Sequence, residues 1–219
     1  MLISPSFSVS PVAIRETNRY LRGTARRSQR GTWGFWDRLL EDNGATAMQD
    51  LIIRDALPAE ASVIAQLARQ SFSEAFAAQN NPDDLAQFLD TTYGEVQQRQ
   101  ELRDPAWTTL LALVDSQPAG FAQIRRGPAE PCVQGLHPVE LNRLYVLKAH
   151  HGAGAGAALM QAVIAQATTG GFKTLWLGVW EHNPRGLAFY RKWGFEQVGS
   201  HTFRVGSDPQ TDLILVRPL

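Results

Sequence analysis

One stretch constrains the chain more than any other: Leu144-Tyr145-Val146-Leu147-Lys148-Ala149-His150-His151-Gly152-Ala153-Gly154-Ala155-Gly156-Ala157-Ala158-Leu159. An apolar strand pattern enters a turn of alternating glycines and small residues, and a helical pattern follows at once. Backbone N–H groups are left uncovered where a helix begins, and there they lack partners and sit at the positive end of the helix dipole. Such a turn is a ready anion site, best suited to a phosphate or pyrophosphate.

Three nucleotide readings compete for it. A P-loop requires a lysine after its last glycine, and none follows here, so triphosphate hydrolysis is disfavoured. A dinucleotide turn requires Gly-x-Gly-x-x-Gly; the spacing here is Gly-x-Gly-x-Gly, with Glu181 after the next strand as a stand-in for the ribose-binding acid. The third reading is a coenzyme A pyrophosphate loop. Against all three stands simple close packing of a small-residue helix.

The rest of the chain reads as a mixed α/β domain. A strand over 51–55 is followed by Pro58 and by apolar residues at 63, 64, 67, 68 and 72, a helical spacing. A second helix opens after Asn81-Pro82, and a polar third covers about 94–103. Two strands, 107–114 and 119–124, joined by Asp115-Ser116-Gln117-Pro118, form a hairpin. After a loop over 127–138 come strand 140–147, helix 154–168, strand 174–179, helix 185–193 and strands near 195–205 and 212–216. This order implies a mixed sheet covered by helices on both faces.

Charge divides the chain. Residues 1–47 carry seven arginines and no lysine against four acids, a net +3; the whole chain is neutral, so the remainder is −3. Rich in Ser, Thr, Gly and Arg, with one short stripe at Trp33, Phe35, Trp36, Leu39 and Leu40, this segment is poorly equipped to fold alone. It reads as a flexible extension, an organellar targeting arm or an interaction arm, with Met48 marking the start of the domain at 48–219. Overall neutrality argues against a nucleic-acid-binding surface. No apolar run approaches the roughly 18 residues of a membrane helix. One cysteine and five scattered histidines give neither a disulfide nor a metal pattern, so a reduced, cytoplasmic protein without a metal is expected.

With these residues in place, the chain resembles the GNAT superfamily of N-acetyltransferases. Its acetyl-CoA motif, Arg/Gln-x-x-Gly-x-Gly/Ala, is matched by His151-Gly152-Ala153-Gly154-Ala155-Gly156, with His in the first position. Glu140-Leu141-Asn142-Arg143-Leu144-Tyr145-Val146 resembles the family's central strand. The stretch from Gly178 through Asn183-Pro184-Arg185 to Tyr190-Arg191-Lys192-Trp193-Gly194-Phe195 resembles its second motif. The likeness covers about residues 50–219. Within the family, Ser71-Phe72-Ser73-Glu74-Ala75-Phe76, Asn81-Pro82-Asp83-Asp84-Leu85 and the C-terminal stretch from Gly199 to Asp212 resemble the PaiA-like polyamine acetyltransferases.

The resemblance implies a mixed, mostly antiparallel sheet of six to seven strands with a splayed central pair. It also implies acetyl-CoA as co-substrate and a small-molecule amine as acceptor, and it leaves room for a homodimer. By the same likeness the coenzyme is held by Leu144, Tyr145 and Val146, by the loop His151, Gly152, Ala153, Gly154, Ala155, Gly156 and Ala157, and by Asn183, Arg185 and Tyr190. Lys148, Arg191 and Lys192 are further candidates to balance its phosphates. Tyr190 is the implied proton donor to the departing thiolate, and Glu140, acting through water, the implied base, with His137 as fallback. A backbone N–H near Val146 is the implied oxyanion donor.

Residues 70–98 contain no Lys or Arg but hold Glu74, Asp83, Asp84, Asp90 and Glu95, an acidic stretch suited to attracting a cationic amine. Glu74, Asp84 and Glu140 are the expected acceptor contacts. Cys132 has no visible activating partner, so transfer is expected to be direct, without an acetyl-cysteine. The rival reading from another class is a non-catalytic acyl-CoA-binding regulatory module on the same fold.

Overall fold

A computed structural model describes residues 50–205 and 208–219; the arginine-rich segment with its Trp33/Trp36 stripe lies outside the described residues. In chain order the elements are β1 (Leu51–Asp55), α1 (Ala61–Phe76), α2 (Pro82–Thr92), α3 (Glu95–Glu101), β2 (Trp107–Val114), β3 (Gln117–Arg125), β4 (Pro138–Val146), α4 (Ala155–Thr169), β5 (Thr174–Trp180), α5 (Pro184–Lys192), β6 (Glu196–Val205) and β7 (Asp208–Pro218). The strands form one seven-stranded sheet in the order β1-β2-β3-β4-β5-β7-β6. Every neighbouring pair is antiparallel except β4 and β5.

Local chemistry explains the punctuation. Asn81 caps α2, its side-chain oxygen accepting from the Asp83 N–H at 2.9 Å, and Pro82 takes the first helical position, where no N–H is needed. The β2–β3 turn is tighter than the expected four residues. Asp115 and Ser116 alone turn the chain, at φ 50° and 65°, and Pro118 is already paired opposite Leu113. Such a left-handed pair matches the twist of a hairpin. The last strand is longer than expected, because its pairing with β6 begins at Asp208.

Side chains alternate across the sheet. Leu111 and Phe121 face Ile64, Leu67, Ala68 and Phe72 of α1 and Leu85 and Leu89 of α2. Leu110, Ala112, Ala122 and Ile124 face the opposite way, onto Leu159, Met160 and Val163 of α4. Leu187, Phe189 and Tyr190 of α5 pack on that second core. Helices therefore cover both faces, as expected. No helix of the described residues is long and apolar enough to cross a membrane.

The central strands pair briefly. The β4–β5 ladder runs only from Pro138↔Thr174 to Glu140↔Trp176. Beyond it β4 stays on β3 as far as Gly120↔Val146, while β5 stays on β7 as far as Trp180↔Asp212. A register shift that skips Asn142 marks the point of parting. The sheet thus opens into a wedge between its two middle strands.

Candidate active site

The wedge leads into a cleft of about 960 Å³ lined by both strands, α1 and the starts of α4 and α5. On the α4 side it is built from backbone. After β4 the chain makes a short 3-10 turn over Lys148–His150 and then passes Gly152 and Gly154, at φ +89° and +83°. This left-handed backbone is open to glycine at little cost. A side chain at either position would meet no atom within 4 Å, so open space lies before both. Gly154 is the N-cap of α4 and supplies no side-chain cap, leaving the first-turn N–H groups for an anion. The loop therefore fits a pyrophosphate.

His151 is tied inward. Its Nδ1 lies 2.8 Å from Arg185 Nη1, which can only donate, so Nε2–H must be the donor to the Val146 carbonyl at 2.9 Å. The histidine fixes Arg185 beside the loop. Asn183 uses its side-chain oxygen to cap α5, accepting from the Gly186 N–H at 2.9 Å, and it also lines the cleft. Tyr190, between Phe189 and Phe195, lines the same wall, and burial pushes its phenol up to about 12.

On the α1 side the cleft is built from side chains. Phe76 meets Trp180 edge-on at 5.9 Å, and Phe72 meets Phe88 at 4.9 Å. The Tyr93 and Tyr145 hydroxyls are 3.3 Å apart, and burial raises the pKa of both. Arg143 lies beneath them, its guanidinium 5.1 Å from the Tyr93 ring. It is ion-paired with buried Glu101 and donates to Gln123 Oε1 at 2.6 Å. Glu74 accepts from the Lys148 N–H at 2.8 Å and from Gln70 at 2.9 Å, and chiefly that backbone bond holds its carboxyl below the usual range. Asn80 and Gln210 are hydrogen-bonded at 3.0 Å, joining the segment after α1 to β7.

Most of the expected residues converge. Residues 144–146, the loop 151–157 apart from Ala153, and Asn183, Arg185, Tyr190 and Glu74 all line the cleft. In β4 the Tyr145 ring turns to the α1 side, among Phe72, Phe121 and Tyr93, while Leu144 and Val146 pack toward α4.

Two of the expected residues stand outside the cleft lining. Asp84 sits in the first turn of α2, away from the cleft wall. Glu140 also lies outside the lining: Arg125 faces it across β3–β4 and binds its Oε2 at 2.6 Å, and Asn142 Nδ2 donates to Oε1 at 3.0 Å. A nearly buried carboxylate so engaged is poorly placed to receive a proton from the cleft. Arg143, Trp180, Gln210 and Asp212 line the cleft and were not anticipated; the alternation of β4 and β5 was the signal available for the first two.

Comparison with known proteins agrees with this geometry. Residues 65–195 match the model of the Acetyltransferase (GNAT) family. Over 160 residues the chain is 36% identical to an uncharacterized N-acetyltransferase of Mycobacterium bovis, spanning 73% of this chain and 98% of that protein. An uncharacterized N-acetyltransferase of Lactobacillus delbrueckii subsp. lactis is 30% identical over 153 residues, 70% of this chain and 88% of that one. In fold the chain is similar to the crystal structure of the PaiA N-acetyltransferase of Thermoplasma acidophilum in complex with coenzyme A. The TM-score is 0.64 over 77% of this chain and 99% of that one, at 19% identity. With a family model over residues 65–195 and relatives that match most of its length, the chain belongs to the GNAT family of acetyltransferases, with acetyl-CoA as its co-substrate.

Proposed function

We propose that the protein moves an acetyl group directly to a primary amine, and that a polyamine such as spermidine or spermine is the acceptor. The observation that carries this reading is the division of the cleft. A backbone anion cradle occupies one side of the parted strands, and aromatic rings with the carboxylates of Glu74 and Asp212 occupy the other. Aromatic faces and carboxylates together favour an alkylammonium over an anionic or neutral acceptor.

Bound acetyl-CoA supplies the thioester carbonyl that is attacked. The chain's own groups do the rest. N–H groups of the 152–157 stretch hold the pyrophosphate, and Arg185, steadied by His151, supplies positive charge where the motif's first residue departs from Arg or Gln. A β4 backbone N–H near Val146, beyond the end of the β4–β5 ladder, is placed to meet the carbonyl oxygen as it gains charge. A C–N bond forms, the C–S bond breaks, the nitrogen loses a proton and the sulfur gains one. Tyr190, on the cleft wall, is the donor to that sulfur in this reading. A phenol near 12 is a weaker acid than an ordinary thiol near ~8.5, so its main contribution is a hydrogen bond to the developing thiolate. Cys132, unpaired and outside the cleft lining, takes no part, and a free thiol accords with a cytoplasmic enzyme.

The test is thiol release from acetyl-CoA over a panel of spermidine, spermine, amino acids, aminoglycosides and peptide N-termini. Polyamines should give the highest kcat/KM. A clear preference for an amino acid or a peptide N-terminus refutes the polyamine assignment.

A further inference from the structure

Three segments distant in sequence meet beside the cleft: β7 through Asp212, β6 through His201 and the loop between β3 and β4 through Glu130. Asp212 pairs with His201 across β6–β7 and with Trp180 across β5–β7, at the end of β5 that borders the wedge. The side chains of Asp212 and His201 lie over Gly178, on the sheet face opposite α4. A Cβ at Gly178 would stand 3.3 Å from Asp212 Oδ2 and 3.6 Å from His201 Nε2, so glycine there leaves these two groups their room.

Two ring-nitrogen contacts set the direction of the array. His201 Nδ1 lies 2.8 Å from Glu130 Oε1. An ionised carboxylate can only accept, so Nδ1 carries the hydrogen and Nε2 faces Asp212 Oδ2 at 3.9 Å. Exposure rises outward, from 16% for the Asp212 side chain to 32% and 31% for His201 and Glu130. A proton arriving at Nε2 can leave through Nδ1 to Glu130 and then to solvent.

We propose that Asp212 takes the proton from the attacking nitrogen as the C–N bond forms, and that His201 and Glu130 conduct it to the surface. The balance is simple. The nitrogen loses one proton to Asp212 Oδ2, the imidazole receives it at Nε2 and releases another from Nδ1, and Glu130 passes that one to water. Formation of the C–N bond makes the nitrogen strongly acidic, so a carboxylate is a sufficient base at that moment.

The other acids are committed elsewhere. Glu140 is held by Arg125 and Asn142, Glu101 by Arg143 and Gln123, and both oxygens of Glu74 accept hydrogen bonds within α1 or from the Lys148 backbone. The Asp212–His201 separation exceeds hydrogen-bond length, as is common for reacting groups before substrate closes on them. Burial raises the Asp212 carboxyl above its ordinary range, with His201 opposing the shift. The folded state therefore holds this proton more tightly than the unfolded chain, and the resulting stability is present at low pH and lost as pH rises through the folded pKa. Neutralising Asp212 is consequently not expected to weaken the fold at neutral pH.

The test uses the full chain and the amine that the wild-type protein turns over fastest. Asp212→Asn should lower kcat/KM for that amine at least ~100-fold, the scale of a lost general base. It should leave intact the acetyl-CoA-induced thermal shift and the melting temperature at neutral pH. Asp212→Ala should be equally slow and partly restored by added formate, a rescue that a merely structural residue does not show. His201→Gln should make turnover depend on buffer concentration. The acid limb that Asp212 adds below the amine's own ionisation should vanish from the kcat/KM profile in Asp212→Asn; His201, Glu130, Glu74, His182 and Tyr190 also face this space and are retained in that variant.

Activity within threefold of wild type in Asp212→Asn overturns the proposal. So does a loss that runs in parallel with lost stability or lost acetyl-CoA binding and resists formate. The proposal rests on acetyl transfer to an amine and not on which amine is used, so an acceptor other than a polyamine refutes only the polyamine assignment.

Discussion

The two sides of the cleft are made by different means. Toward α4, recognition is backbone: two left-handed glycines, an uncapped helix start and a loop pinned by His151 and Arg185. Toward α1 it is side chain: stacked aromatics, a buried Arg143–Glu101 pair and the carboxylates of Glu74 and Asp212. A backbone site tolerates change in side chains but not in φ, whereas a side-chain site tolerates the reverse. The coenzyme side is thus specified mainly by backbone conformation, and the acceptor side by the identity of its side chains.

Substitutions that act on one side alone sharpen this contrast, and effects that cross it break it. The largest expected effect is on the acceptor side. Glu101→Ala strands the Arg143 guanidinium, whose side chain is only 9% exposed, and should cost about 3–5 kcal/mol in urea unfolding. Tyr190→Phe comes next. It should lower kcat about 100-fold, or about 2.7 kcal/mol of barrier, while acetyl-CoA still raises the melting temperature as in wild type. Unchanged turnover removes Tyr190 as the donor to sulfur.

Gly154→Ala should follow, at about 1–2 kcal/mol for an L-residue at φ +83°. Its KM for acetyl-CoA should rise roughly tenfold with little change in the KM for the amine. An equal rise for both substrates would mean that the two sides are not separable. The smallest effect is expected from Glu140→Gln, which should stay within about threefold of wild type in kcat/KM across the pH profile, because its carboxylate is engaged outside the cleft. A hundredfold loss there would return Glu140 to the reaction.

The same contrast explains what could be seen before the structure. The anion loop, the Asn183 cap and the helix carrying Tyr190 are local patterns, so adjacent residues announce them. The acceptor side is non-local. Arg143 and Glu101 are 42 residues apart, and His201 and Glu130 are 71 apart, so no window along the chain holds both partners. Glu140 looked available because it stands at a strand entrance; only the β3–β4 register reveals Arg125 opposite it. The acidic stretch shows the same limit. Asp90 pairs with Arg69 and Glu95 with Arg99, and Asp84, although it shares a helix face with Phe88, is not part of the lining, leaving Glu74 as the member of that group on the cleft wall. The hairpins, by contrast, follow from alternation and turn chemistry, and were legible to within a few residues.

The three-position β4–β5 ladder has a consequence for how the molecule comes into being. Strands β1 to β4 join by antiparallel pairing, and β5 to β7 do so separately; the two groups meet in the sheet only at that short parallel seam. Parallel pairing needs a crossover, here through α4, and closes late because its loop entropy must be met first. The first group is also the first to be synthesised, and it carries only its own half of the cleft lining. The cleft is therefore complete only when the C-terminal strands have joined the sheet across that seam.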